Sequence, residues 1–247
     1  MEKYTEFNDP VTGINPYLRP IKHRITLLSL VFRMLLVRAM LCLPFFLYKH
    51  LKGSYAQVKY EKKETVDALR KNRVFMCTYT CIFDTSVLYQ VLNNPSIYII
   101  RGTQVLLIDN KNMLRASSKA QVLEEIEAGK YVVFLIGGGI TNGKVLVSTS
   151  DIEEIFDVER VISLQYAPSL AYDISLFDLK VYPQFRSKIS SFIYHLMYYA
   201  TLQAPPMCYI SVHHTLYDMS EKTGVEVSKA LDSKTTLKFL KMFGFDE

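Results

Sequence analysis

Two apolar runs of β-branched and aromatic residues frame the middle of the chain, and each stops abruptly at small polar residues or glycine. The first is VFMCTYTCIFD (Val74 to Asp84) and the second YVVFLIGGGITNGK (Tyr131 to Lys144). Such runs read as buried strands feeding loops. Between them, Ser96–Ile100 and Val105–Ile108 are also strand-like, and Ser117–Ala128 has helical spacing up to a stop at Gly129. Strands alternating with helices predict an α/β layer whose site lies at the strand ends.

The same reading extends outward. Val58–Arg70 predicts a short strand then a helix, and Asp84–Leu92 a helix with Asp84 near its N-terminus, where a carboxylate caps free N–H groups. Val161–Ala167, ending at Pro168, and Met207–Val212 read as further buried strands. Lys188–Leu202 carries Ile189, Phe192, Ile193, Leu196, Met197 and Ala200 at helical spacing, with His195 outside that stripe. The tail has a capping-type Ser233 and an amphipathic run through Leu237, Leu240, Lys241 and Phe243 to Gly244.

The N-terminal part differs. Met1–Pro20, with Pro10, Pro16 and Pro20, reads as an extended arm without the pattern of a secretory signal. Ile25–Tyr48 is long enough to span a bilayer, yet it contains Arg33, Arg38 and Pro44. A central arginine costs about 2.5–3.5 kcal/mol on insertion scales. Lys22, Thr26, Ser29 and Arg33 share one helical face, and basic residues flank both ends of the segment. In-plane or re-entrant attachment to a membrane is therefore expected rather than a simple span. The division that follows is 1–52 for the arm and membrane-associated helical segment, and 53–247 for the α/β domain.

Composition adds little to this. The 247 residues are 49% apolar with net charge +5, which suits one large core and an anionic phospholipid surface. No basic stripe with interleaved aromatics suggests nucleic acid. Cys42, Cys77, Cys81 and Cys208 lie in apolar stretches without zinc-like pairing, so buried free thiols and no metal site are expected.

At the framing strands the chain resembles the glycerolipid acyltransferases of the lysophosphatidic acid acyltransferase type. That family carries N-H-x-x-x-x-D after one strand and F-P-E-G-T-R after a later one. Here Tyr79 to Asp84 takes the first place, with Asp84 matching and Tyr79 where the histidine stands. Gly137, Gly138 and Gly139, followed by Asn142, Gly143 and Lys144, take the second, and Asp109 matches the acid of an intervening Gly-apolar-apolar-Asp-Arg stretch. The opening residues, with Asp9, Thr12, Gly13, Asn15 and Pro16, resemble those of fungal lysophosphatidic acid:oleoyl-CoA acyltransferases.

The resemblance implies a mixed central sheet flanked by helices and an acyl transfer from acyl-CoA, as co-substrate, to a lysophospholipid such as lysophosphatidic acid. It implies an intracellular membrane, the endoplasmic reticulum or a lipid droplet, with phospholipid and acyl-CoA as partners. Asp84 and Tyr79 would be the catalytic positions; Gly137, Gly138, Gly139, Asn142, Lys144 and Asp109 would bind substrate.

Residue chemistry leaves two functions open. A phenol of pKa about 10 is a poor base, whereas glycines after a strand let backbone N–H groups converge on an anion. The loop fits neither nucleotide-binding glycine pattern. His213 and His214, adjacent on a strand, point to opposite faces, and neither is expected to reach Asp84. The chain reads either as a divergent acyltransferase or as a catalytically silent lipid-binding or scaffolding module.

Overall fold

The computed structural model describes residues 2–18, 21–23, 57–81, 83–109, 113–167, 173–174 and 207–242. The membrane candidate Ile25–Tyr48, the helix over Lys188–Leu202 with His195, Cys42, and Phe243 with Gly244 lie outside them. Among the described residues no helix is long and apolar enough to cross a membrane.

In chain order the strands are β1 (Ile21–His23), β2 (Gln57–Tyr60), β3 (Val74–Cys77), β4 (Ser96–Arg101), β5 (Gln104–Ile108), β6 (Leu114–Ser117), β7 (Val132–Leu135), β8 (Val145–Leu146), β9 (Arg160–Ala167), β10 (Asp173–Ile174), β11 (Met207–His213) and β12 (Glu226–Val227). The helices are α1 (Lys63–Lys71), α2 (Asp84–Val91), α3 (Lys119–Glu127), α4 (Ser150–Glu153), α5 (Leu216–Thr223) and α6 (Ser233–Met242).

Eight strands form one mixed sheet in the order β2-β11-β9-β3-β7-β4-β5-β6. The central four, β9-β3-β7-β4, are parallel, and the margins β11 and β5 run against them. Every residue of β3 and β7 is buried, as expected where helices cover both faces of a parallel centre. Alternate side chains separate into two cores. Phe75, Cys77, Ile97, Ile99, Val133 and Leu135 pack with Val87 and Leu88 of α2 on one face. Met76, Tyr98, Phe134 and Val161 pack with Val122 of α3, Ile152 of α4, and Leu216 and Met219 of α5 on the other. The segment after β3 therefore crosses one face of the sheet and the segment after β7 the other, so the two diverge from the strands' C-terminal edge.

Local signals account for the helix ends. Ser118 Oγ accepts from the Gln121 N–H at the start of α3, and Gly129, at φ 71°, follows its end. Thr215 caps α5 in the same way, and Gly224 in the left-handed region closes it. For α6 the cap is Asp232 rather than Ser233: its Oδ1 accepts from Thr235 N–H and Oγ at 2.8 and 2.7 Å. Ser233 instead accepts from Gly102 N–H.

Two further readings change. Strand β6 lies where no strand was expected; Arg115 and Ala116 are exposed, so it lacks an apolar run. The arm is not extended. Glu2–Phe7 is a 3₁₀ helix, and the arm docks on the body through Phe7 and Tyr17. The Phe239 ring of α6 meets these at 5.0 and 4.9 Å between centroids.

Candidate functional site

The C-terminal edge of the parallel strands gathers the chemistry. Beyond Cys77 the chain leans on β9: Thr78 N–H donates to Ile162 O, and Leu164 N–H donates to Thr78 Oγ at 3.3 Å. Beyond β7, Ile136 N–H donates to Cys77 O, and Thr141 N–H donates to Tyr79 O. The two framing loops are thus laced to each other. Glycine is required in this lacing. A Cβ on Gly143 would sit 2.9 Å from Thr80 Cγ2, and one on Gly138 3.0 Å from Ile100 O, both at positive φ.

Asp84 is fully buried at the first turn of α2. It is not a helix cap, because its carboxylate turns back. Oδ2 accepts from the N–H groups of Thr80 and Cys81 at 2.7 and 2.9 Å, and Oδ1 accepts from the Tyr166 hydroxyl of β9 at 2.6 Å. These donors favour the carboxylate, yet burial outweighs them and lifts Asp84 to about 7. Burial also raises the phenols of Tyr79 and Tyr166 and the thiol of Cys77, in each case helped by the Asp84 charge. Cys208 is pushed up to about 12 for the same reasons. Within this group Asp84 alone changes charge near neutral pH; the phenols and thiols hold their protons.

Tyr79 stands where the resemblance puts the histidine, 3% exposed, and Arg101 partly offsets the rise of its phenol. Arg101, at the end of β4, is 5% exposed and donates from Nε to Gly138 O at 2.6 Å. Gly137 O accepts from Thr236 Oγ1 of α6 at 2.6 Å, and the Tyr17 hydroxyl lies 3.0 Å from Thr236 Oγ1. The glycine turn is therefore a packed junction of β7, β4, α6 and the arm. A buried guanidinium lies beside it.

Other expected site residues are engaged elsewhere. Asn142 donates from Nδ2 to Asn15 O and Leu18 O at 2.8 and 3.2 Å, and its Oδ1 accepts from Lys144 N–H at 3.1 Å. It grips the arm, so its amide is engaged within the protein. Lys144 is exposed at the rim. Asp109 accepts from Met113 N–H at 3.0 Å and closes the β5–β6 turn. Because β5 runs back along β4, pairing Ile108 with Ile97, Asp109 lies at the opposite edge of the sheet from the glycine turn.

The histidines lie at that opposite edge too. His213 pairs with Val161 at the start of β9, whereas Tyr166 pairs with Cys208 at the other end. His213 is buried and His214 exposed, as alternation requires. Among the described side chains, no imidazole is hydrogen-bonded to Asp84.

Arg101, Tyr166 and Thr236 are site residues that sequence reasoning missed. The first two carried a signal: each is a polar-tipped residue at the C-terminal end of a buried strand. Comparison with models of known protein families, with characterised proteins and with solved structures finds no match for this chain.

Proposed function

We propose that this chain is a divergent glycerolipid acyltransferase-like protein, moving an acyl chain from acyl-CoA to a lysophospholipid such as lysophosphatidic acid at an intracellular membrane. The observation that carries the reading is Asp84. It is a fully buried carboxyl in the first turn of α2, folded back onto the loop that follows β3, and burial lifts it to about 7. Acyl transfer to a hydroxyl needs a group that takes a proton near the working pH, and enzymes raise carboxyls into this range by burial. Arg101, bonded to Gly138 O, brings positive charge to the same neighbourhood, since its charge and that of Asp84 both act on the Tyr79 phenol, and a cation there suits an anionic substrate. The N-terminal segment over Ile25–Tyr48 would bring the domain to the endoplasmic reticulum or a lipid droplet, where both substrates are found.

Membranes containing the full chain, given labelled acyl-CoA and lysophosphatidic acid, are expected to form phosphatidic acid, and Asp84→Ala to abolish it. No turnover over several lysophospholipid acceptors would remove the enzyme reading.

A second reading, a catalytically silent lipid-binding or scaffolding module on the same fold, is favoured by one observation. Asn142, in the substrate loop by resemblance, has its amide engaged in holding the arm. That reading expects lipid binding unchanged by Asp84→Ala.

A further inference from the structure

We infer that Tyr166 is the group that meets the acceptor hydroxyl, and that Asp84 works through it as a carboxylate–phenol relay in place of an imidazole. The inference rests on the acyl-transfer reading above and names the proton path within that site.

Its ground is accessibility. Asp84 is 0% exposed, so no substrate hydroxyl can touch its carboxylate directly. Oδ2 is turned towards the backbone N–H groups of Thr80 and Cys81, and Oδ1 towards the Tyr166 hydroxyl at 2.6 Å. The two backbone donors hold the carboxylate still but cannot carry a proton to a substrate. Tyr166 can. Its side chain is only partly buried, it sits near the end of β9 on the edge where the framing loops meet, and its oxygen, which the Cys208 thiol also approaches, has lone pairs to offer while its proton bonds Asp84. Tyr79, 3% exposed, is covered.

The step balances. The acceptor oxygen attacks the thioester carbonyl carbon and forms the C–O bond as its proton moves to the Tyr166 oxygen. The Tyr166 proton moves in the same motion to Asp84 Oδ1, so no free phenolate accumulates. When the C–S bond breaks, the thiolate of coenzyme A takes a proton back from Asp84 through Tyr166, and both groups return to their starting state. No oxidant, metal or further reactant is needed.

The test uses full-length protein in membranes with acyl-CoA and lysophosphatidic acid, comparing Tyr166→Phe with the parent across pH 5–9. Tyr166→Phe removes only the hydroxyl, and thermal melting of each variant establishes that it folds. The relay expects kcat to fall at least ~100-fold at every pH with KM little changed. The parent kcat/KM should rise with pH through about 7, since the relay needs ionised Asp84. If Tyr166 only positions the carboxylate, losing its hydrogen bond moves that rising limb to higher pH, and the rate recovers above it. Recovery, or a loss of only a few-fold, overturns the relay and leaves the acyltransferase reading standing. A parent that turns over no acceptor overturns both. A folded Tyr166→Phe that is slow at all pH values supports the relay.

Discussion

Two buried polar clusters sit at opposite edges of one sheet, and they answer burial differently. At the C-terminal edge of the parallel strands, Asp84 has three donors within 2.9 Å. At the other edge, His213 Nε2 meets Ser211 Oγ at 2.9 Å, but Nδ1 has no hydrogen bond, and Asp218 Oδ2 stands 3.8 Å away. Asp218 is instead held by Lys222 at 2.9 Å and by His214 N–H. Burial raises the acid and lowers the imidazole, so both prefer neutrality. Only the acid is enclosed by donors that keep its ionised form within reach at neutral pH. A satisfied cluster can change charge without losing its shape. A half-satisfied one is better explained as packing.

The signs of their pH effects are opposite. The folded value of Asp84 lies above its unfolded one, so its contribution is greatest below about pH 4 and falls as pH rises towards 7. The folded value of His213 is depressed, so its contribution is full above about pH 6.5 and is lost as pH falls from there to its lower folded value.

The largest test is Asp84→Asn. An amide oxygen can keep the two backbone bonds while the amide NH2 donates to the Tyr166 oxygen, all without a charge, so the variant should gain on the parent as pH rises from 4 to 7. The full gap is about 4 kcal/mol, three units at about 1.4 kcal/mol each. Urea unfolding at pH 4 and pH 8 measures most of it, and equal gaps at both values would break the comparison. Asn142→Ala asks whether the acid's edge depends on the arm. Losing three hydrogen bonds should cost about 2–3 kcal/mol, with faster amide exchange over residues 4–18. The smallest effect is His213→Leu, which should cost about 1 kcal/mol at pH 8 through Ser211. It should also flatten the acid side of the stability curve; an unchanged acid slope would remove His213 from the account.

How much of this was legible depends on the distance over which each contact acts. Strands β3, β4, β5, β7, β9 and β11 were readable because their runs are apolar and end at polar or glycine residues. Strand β6 was not, since only its hydrogen bonds to β5 define it. Asp84 and the glycine turn stood out locally, but the direction of the Asp84 carboxylate did not. The cap expected of it is a local arrangement, whereas its hydrogen bond to Tyr166 spans 82 residues. Arg101 and Tyr166 join the site because β4 and β9 flank the pair β3–β7, and strand order is not written in any one strand. Phe7 and Tyr17 looked like aromatics in a polar arm because their partner, Phe239, belongs to the last described helix.

That last contact has a consequence for biosynthesis. Tyr17 and Thr236 are 219 residues apart, so the arm leaves the ribosome long before its docking surface exists. At translation rates of roughly 5–20 residues per second, Phe7 and Tyr17 stay uncovered for on the order of 10–40 s. During that interval they are short aromatic bait for chaperones or for a nearby bilayer. The glycine turn is likewise without its final cover until α6 emerges. Ribosome-bound chains halted before residue 233 should therefore leave the arm open to protease, and released full-length chains should protect it.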